Sequence, residues 1–92
     1  MALIWDEPKR AETLASRGLD FADAGIVFEG SHFTVPSVTQ DHGEPRFLTA
    51  GEIAGRMVII VWTPRGGDRR IISMRKANEQ EQRRYRQRLG KG

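Results

Sequence analysis

Cysteine is missing from all 92 residues, which removes disulfides, zinc–thiolate sites and thiol nucleophiles together and fits a reducing compartment. Long apolar runs are missing as well. The longest, Met57 to Trp62, falls far short of the ~18 residues that span a bilayer. Only Met1 to Trp5 precede the first charge at Asp6, too little for the core of a secretion signal. A soluble cytoplasmic protein without membrane association is expected. Histidine is scarce: His32 and His42 stand in different contexts with no ligand spacing around either, so neither metal nor cofactor is expected. P-loop, zincin and nucleophile-elbow motifs are all absent, which leaves nucleotide hydrolysis, zinc proteolysis and serine-hydrolase chemistry without support.

Acidic residues are scarce in one region only. From Arg69 onward nine cations face Glu79 and Glu81 alone, a formal +7, whereas the chain before Arg69 carries −4. Clustered cations concentrate phosphate-bearing partners by steering, so a basic end on an acidic body suggests a face built for a polyanion. A chain of this size makes one domain, residues 1–92, and buries roughly 60–65% of its extended surface. One modest core is expected, and Gly90-Lys91-Gly92 reads as a frayed tail.

The order of elements follows from local signals. Ala2 to Trp5 reads as a short strand, stopped where Asp6 can cap a helix and Pro8 fits its first turn. Ala11, Leu14 and Ala15 supply its apolar stripe, and Gly18 the left-handed residue past its end. Asp20 then caps a second helix with Phe21, Ala24, Gly25 and Phe28 on one side. From His32 to Thr39 the residues turn β-branched and aromatic, but Pro36 cannot donate to a ladder, so this strand belongs at an edge. Asp41 to Pro45 is a turn by composition. Arg46 to Gly51, Arg56 to Thr63 and Arg69 to Arg75 form an antiparallel meander, with the doubly apolar middle strand at its centre. Asn78 and Glu81 have capping-box spacing for a closing helix whose only apolar anchors are Tyr85 and Leu89, with Ala77 before the cap. The expected class is α+β: two N-terminal helices packed on an antiparallel sheet of four to five strands, with a C-terminal helix.

Candidate chemistry concentrates in the basic end. Strand alternation places Ile71 and Arg75 on one face, where a cation beside core residues calls for an anion or an exit to solvent. Arg65, Arg69 and Arg70 cluster about Gly66-Gly67. A cleft edged by Arg65, Arg70 and Arg75 can stabilise a phosphoryl transition state, or the same residues can be solubilising charge. Tyr85 serves as a stacking or proton-transfer group, or as a core anchor. Glu81 serves as a general base or as the cap.

Trp5-Asp6 with Lys9, Gly18-Leu19-Asp20-Phe21 with Ala24, Asp41 to Arg46, and Arg70-Ile71-Ile72-Ser73-Met74-Arg75-Lys76-Ala77 with Glu81 and Tyr85 occur in order with sensible gaps. In this combination the chain resembles the BrnT family of bacterial toxins. The resemblance implies a RelE-like fold, a ribonuclease that arrests translation and growth, and a BrnA-like antitoxin that covers the basic surface and binds operator DNA. Carried over by position, Arg65, Arg75 and Tyr85 are the implied catalytic residues and Arg70, Arg46, Lys76 and Lys9 the implied RNA contacts, with Glu44 beside them. The chain departs from the family pattern at Thr13, where Asn is frequent, at Ser16-Arg17, where Lys-His precedes Gly18, and at Gln82. If the missing histidine serves the chemistry in relatives, this chain must work differently or poorly; if it only closes the helix, the reading favoured here, Arg17 does so equally well at the C-terminal dipole. The reading that results is a metal-independent endoribonuclease acting on RNA, including ribosome-associated mRNA. The alternatives are a non-catalytic module that docks nucleic acid or antitoxin on the same face, and an inactive toxin serving as corepressor.

Overall fold

A computed structural model describes residues 2–37 and 43–89. In chain order the elements are β1 (Leu3–Ile4), α1 (Glu7–Arg17), a 3₁₀ turn (Phe21–Asp23), α2 (Ala24–Glu29), β2 (His32–Pro36), β3 (Phe47–Ile53), β4 (Arg56–Arg65), β5 (Asp68–Lys76) and α3 (Glu79–Leu89). One sheet runs β1-β5-β4-β3-β2. The meander β2 to β5 is antiparallel, while β1 adds to β5 in parallel through Leu3 opposite Arg69 and Ile4 opposite Arg70. The sheet is therefore mixed, within the expected RelE-like α+β arrangement. Pro36 lies on the outer strand, as its missing N–H requires.

The middle strand β4 is buried on both faces because its alternate residues enter two different cores. Val58, Ile60 and Trp62 meet Phe21, Ala24 and Val27 of the 3₁₀ turn and α2, together with Ile71 and Met74 of β5. Met57 and Ile59 face the other way, into a smaller core with Ala50, Ala77 and Tyr85 beneath α3. In the larger core the Trp62 indole donates to the Thr49 hydroxyl at 2.8 Å, and Thr34 shares that hydroxyl at 2.8 Å, so the indole N–H and the buried Thr49 hydroxyl are both satisfied.

Helix α1 differs from expectation in what it buries. Ala11, Leu14 and Ala15 all face solvent, Leu14 being 44% exposed, and the buried residue is Thr13. Polar bonds attach the helix instead. Arg10 makes a two-pronged contact with Asp20 at 2.7 and 3.1 Å, and Arg17 donates to the Met74 carbonyl at 2.9 Å, on the stretch of β5 that two-residue β1 does not reach. Periodicity reported an apolar stripe correctly but not which side faces the sheet. Asp6 occupies the cap position without a side-chain cap bond, whereas Gly18 closes the helix in the left-handed region, at φ 70°.

The capping box on α3 is complete. Asn78 N–H donates to Glu81 Oε1 at 2.9 Å and Glu81 N–H donates to Asn78 Oδ1 at 2.8 Å. Two-residue turns join β3 to β4 through Ala54-Gly55 and β4 to β5 through Gly66-Gly67, all four with positive φ. Ala54 is the one non-glycine among the described residues in that region, at φ 52°.

Two substitutions test this account by equilibrium denaturation. Gly51→Ala would set a Cβ 2.5 Å from Val27 Cγ1 in the buried layer, and the resulting overpacking is expected to cost about 1–3 kcal/mol. Ala54→Asn relieves a left-handed alanine and is expected to stabilise by about 0.5–1 kcal/mol. Unchanged stability in both variants would contradict the register described.

Candidate functional site

Six of the seven sequence-derived candidates belong to one face of the molecule. On β4 the residues Ile59, Val61, Thr63 and Arg65 share a face by alternation, and their partners are Arg75, Ser73, Arg70 and Asp68. Arg70 and Arg75 accordingly share the α3 side with Arg65. Arg46 precedes β3 in line with Leu48, opposite Val61, and Tyr85 approaches from α3. Lys9 enters from the first turn of α1. Lys76 is the exception: it opposes Val58, whose side chain lies in the other core, and so it emerges on the reverse side.

A β-bulge produces part of this arrangement. Val61 pairs with Ser73 but Trp62 pairs with Ile71, so Ile72 is an extra residue in β5. Simple alternation would put Ile71 and Arg75 on one face. The bulge reverses the parity between them, which sends Ile71 and Met74 into the α2-side core and Arg75 under α3.

The face divides into two groups of charge. At one end a cleft of about 180 Å³ is lined by Asp6, Lys9, Glu44, Arg46, Thr63 and Arg70, with Ile71 and Ile72 behind. Asp6, expected as a helix cap, makes no side-chain cap bond and lines this cleft instead. Arg65 Nη2 donates to Glu44 Oε2 at 2.7 Å, and the Thr63 hydroxyl, fully buried, donates to the Pro45 carbonyl between Glu44 and Arg46. Thr63 thus fixes the backbone that carries both residues, and Arg65 orients the carboxylate from the hairpin end. Arg69 takes no part: its guanidinium stacks 4.0 Å over Phe28 and 5.0 Å over Trp62 on the reverse face.

At the other end Arg75 donates to both carboxylate oxygens of Glu81, each at 2.8 Å. Arg75 thereby holds the Glu81 carboxyl below its ordinary pKa, with the Asn78 N–H adding to the effect and burial opposing it. The same hydrogen bonds raise the pKa of Arg75. The anion that Arg75 required is therefore supplied by its own chain, and Glu81 has both oxygens engaged. Tyr85 is only 8% exposed, packed with Ala50, Met57 and Ile59, its ring 5.9 Å from Phe33. It is a core anchor first. Ile59, opposite Arg75, stands six residues from Arg65 along β4, about 20 Å at ~3.4 Å per residue, so Arg65 and Arg75 do not meet at one phosphate.

His32 Nδ1 lies 2.9 Å from the Gly30 carbonyl and its ring meets Phe28 edge-on, a structural role; His42 lies outside the described residues. Among the described residues no three His, Asp or Glu side chains gather as metal ligands would. Composition gave no sign of the Lys9–Glu44–Arg46 grouping, because Lys9 comes from a segment far from the turn that carries Glu44 and Arg46; order within the family pattern was the one available signal.

Glu81 generates a pH prediction. Its folded pKa lies below the ordinary 4.5, so the Arg75 contact stabilises fully above that value and is lost as pH falls through the folded one. Glu81→Gln is expected to lower the melting temperature at neutral pH and to flatten its decline below about pH 4.5. Parallel melting profiles of variant and wild type across that window would contradict the clamp.

No curated protein matches the chain. A family model does, described as the ribonuclease toxin BrnT of type II toxin–antitoxin systems, over residues 5–81, which include every candidate residue except Tyr85. Cleft and clamp both fall inside that match, and the chain belongs to the BrnT family, the toxin side of a pair that implies a cognate antitoxin.

Proposed function

We propose that this toxin is an endoribonuclease whose chemistry takes place in the Lys9–Glu44–Arg46–Arg70 cleft. One observation carries the reading: three cations (Lys9, Arg46, Arg70) and two acidic residues (Asp6, Glu44) from three separate segments converge on a single opening beside a buried, oriented Thr63. Cleavage of RNA without an added metal needs a base for the 2′-OH, cations at the phosphate and a proton for the leaving oxygen. Glu44 takes the 2′-OH proton, O2′ attacks the adjacent phosphorus, and the bond to O5′ breaks. The departing oxygen takes a proton from Lys9. The products are a 2′,3′-cyclic phosphate and a 5′-hydroxyl. Arg46 and Arg70 hold the phosphoryl oxygens, where guanidinium forks match them in geometry.

Arg75, Glu81 and Tyr85 act in this scheme by seating α3 rather than by touching the reacting atoms. A BrnA-like antitoxin, the operator-binding member of the pair, then inhibits by covering the basic face. Growth arrest follows from loss of mRNA, free or on the ribosome.

The variants Glu44→Gln, Arg70→Ala and Arg75→Ala separate these roles. Glu44→Gln is expected to slow cleavage at least ~100-fold, the scale of losing a general base, while keeping or tightening RNA binding because a negative charge is gone. Arg70→Ala is expected to slow cleavage ~100-fold or more and to weaken binding. Arg75→Ala should lower the melting temperature more than the cleavage rate measured on folded protein. RNA binding without cleavage by the wild-type protein freed of its antitoxin would leave a docking module. Full activity in Glu44→Gln would remove the base assignment.

A further inference from the structure

Between the cleft and α3 the sheet exposes one apolar row. Val35 opposes Leu48, Leu48 opposes Val61 and Val61 opposes Ser73, all half-buried. The next row, Phe33, Ala50, Ile59 and Arg75, is roofed by α3. Where this roof ends at β2, Phe33, Val35, Arg84, Tyr85 and Arg88 line a separate cavity of about 260 Å³.

Its chemistry is unlike that of a closed core edge. Arg84 and Arg88 stand four apart on one side of α3, a spacing at which like charges repel, and neither has an ion pair or hydrogen bond with a described residue. Arg84 feels Glu81 only at longer range, and Glu81 is already committed to Arg75. The Arg88 guanidinium lies 4.5 Å over the Phe33 ring, so a planar cation and an aromatic ring already stack at the mouth. Two unneutralised guanidiniums above an aromatic and aliphatic wall suit a ligand that is both flat and anionic.

We propose that this cavity is a second station for the substrate strand, taking an unstacked nucleobase against Phe33, Val35 and Arg88 with its phosphate between Arg84 and Arg88. The inference rests on the reading of the cleft as the RNA site. Cavity and cleft lie on the same face, joined by the Val35–Leu48–Val61 row, so one single strand runs from one to the other. Duplex RNA keeps its bases stacked and cannot enter. The station thus selects single-stranded RNA and sets which nucleotide lies in the cleft a few residues along the strand.

The test uses the full chain freed of its antitoxin and a fluorescent single-stranded 2′-O-methyl oligonucleotide, which cannot be cleaved, beside the same sequence as a duplex. Phe33→Leu is expected to weaken single-strand binding roughly tenfold, the scale of one lost stacking contact, and to leave duplex binding unchanged. The double variant Arg84→Gln/Arg88→Gln, at exposed positions where folding is not at issue, is expected to reduce the slope of log K against log salt by roughly 0.7, one phosphate on a single strand. Unchanged affinity and slope in both variants, with binding weakened in Arg70→Ala, would overturn the station and leave the cleft standing. Loss of antitoxin binding with single-strand binding intact would assign the cavity to the partner and overturn it also. If the wild-type protein neither binds the oligonucleotide nor cleaves RNA, the cleft reading fails first and the station with it.

Discussion

A single extra residue in β5 decides which way the charges of this protein point. Ile72 bulges out of the pairing with β4, and the parity of the strand reverses on either side of it. Without that reversal, Arg75 would share the face of Ile71 and enter the larger core, where an unpaired guanidinium is costly. With it, Ile71 and Met74 both reach the α2-side core, while Arg70 and Arg75 both reach the face under α3. The bulge therefore lets one strand serve two cores and one basic surface at once. Helix α3, almost wholly polar, can be seated because Arg75 waits beneath it for Glu81.

The basic end noted in the sequence is divided by the fold into groups with different work. Arg69 stacks on Phe28 and Trp62, Arg75 is bound to Glu81, and Arg70 joins Lys9 and Arg46 in the cleft. Arg84 and Arg88 remain on the open flank of α3. Net charge alone suggested a diffuse polyanion patch. The register turns that patch into a cleft, a clamp and a second cavity on one face, with α3 as a wall and Val35, Leu48 and Val61 as floor. An antitoxin that inhibits by occlusion has to neutralise this same surface.

What was legible in the sequence was local. Asn78 and Glu81 meet within one helical turn, Gly18 adopts its left-handed conformation regardless of distant contacts, and Pro36 restricts its strand to an edge through its own missing donor. What was not legible depends on tertiary contacts. The Ala11-Leu14-Ala15 stripe has helical spacing, yet Arg10 and Arg17 attach α1 by polar bonds that leave the stripe outside. Ile72 carries no glycine or other bulge signal. The parallel pairing of β1 with β5 joins opposite ends of the chain. For the site, the basic residues were visible and their grouping was not: Glu44 and Lys9 meet through the turn before β3 and the start of α1, whereas Arg65 and Arg75, apparent neighbours in composition, stand at opposite ends of the face.

The central claim is that Glu44 and the cations around it cut RNA by attack of the 2′ oxygen. The most direct measurement is the chemistry of the product ends after the wild-type toxin, freed of its antitoxin, is incubated with RNA in the presence of a metal chelator. The account predicts 2′,3′-cyclic phosphate and 5′-hydroxyl termini, and no cleavage at a linkage whose 2′ oxygen is methylated. Ends bearing 3′-hydroxyl and 5′-phosphate, or cutting at methylated linkages, would contradict it.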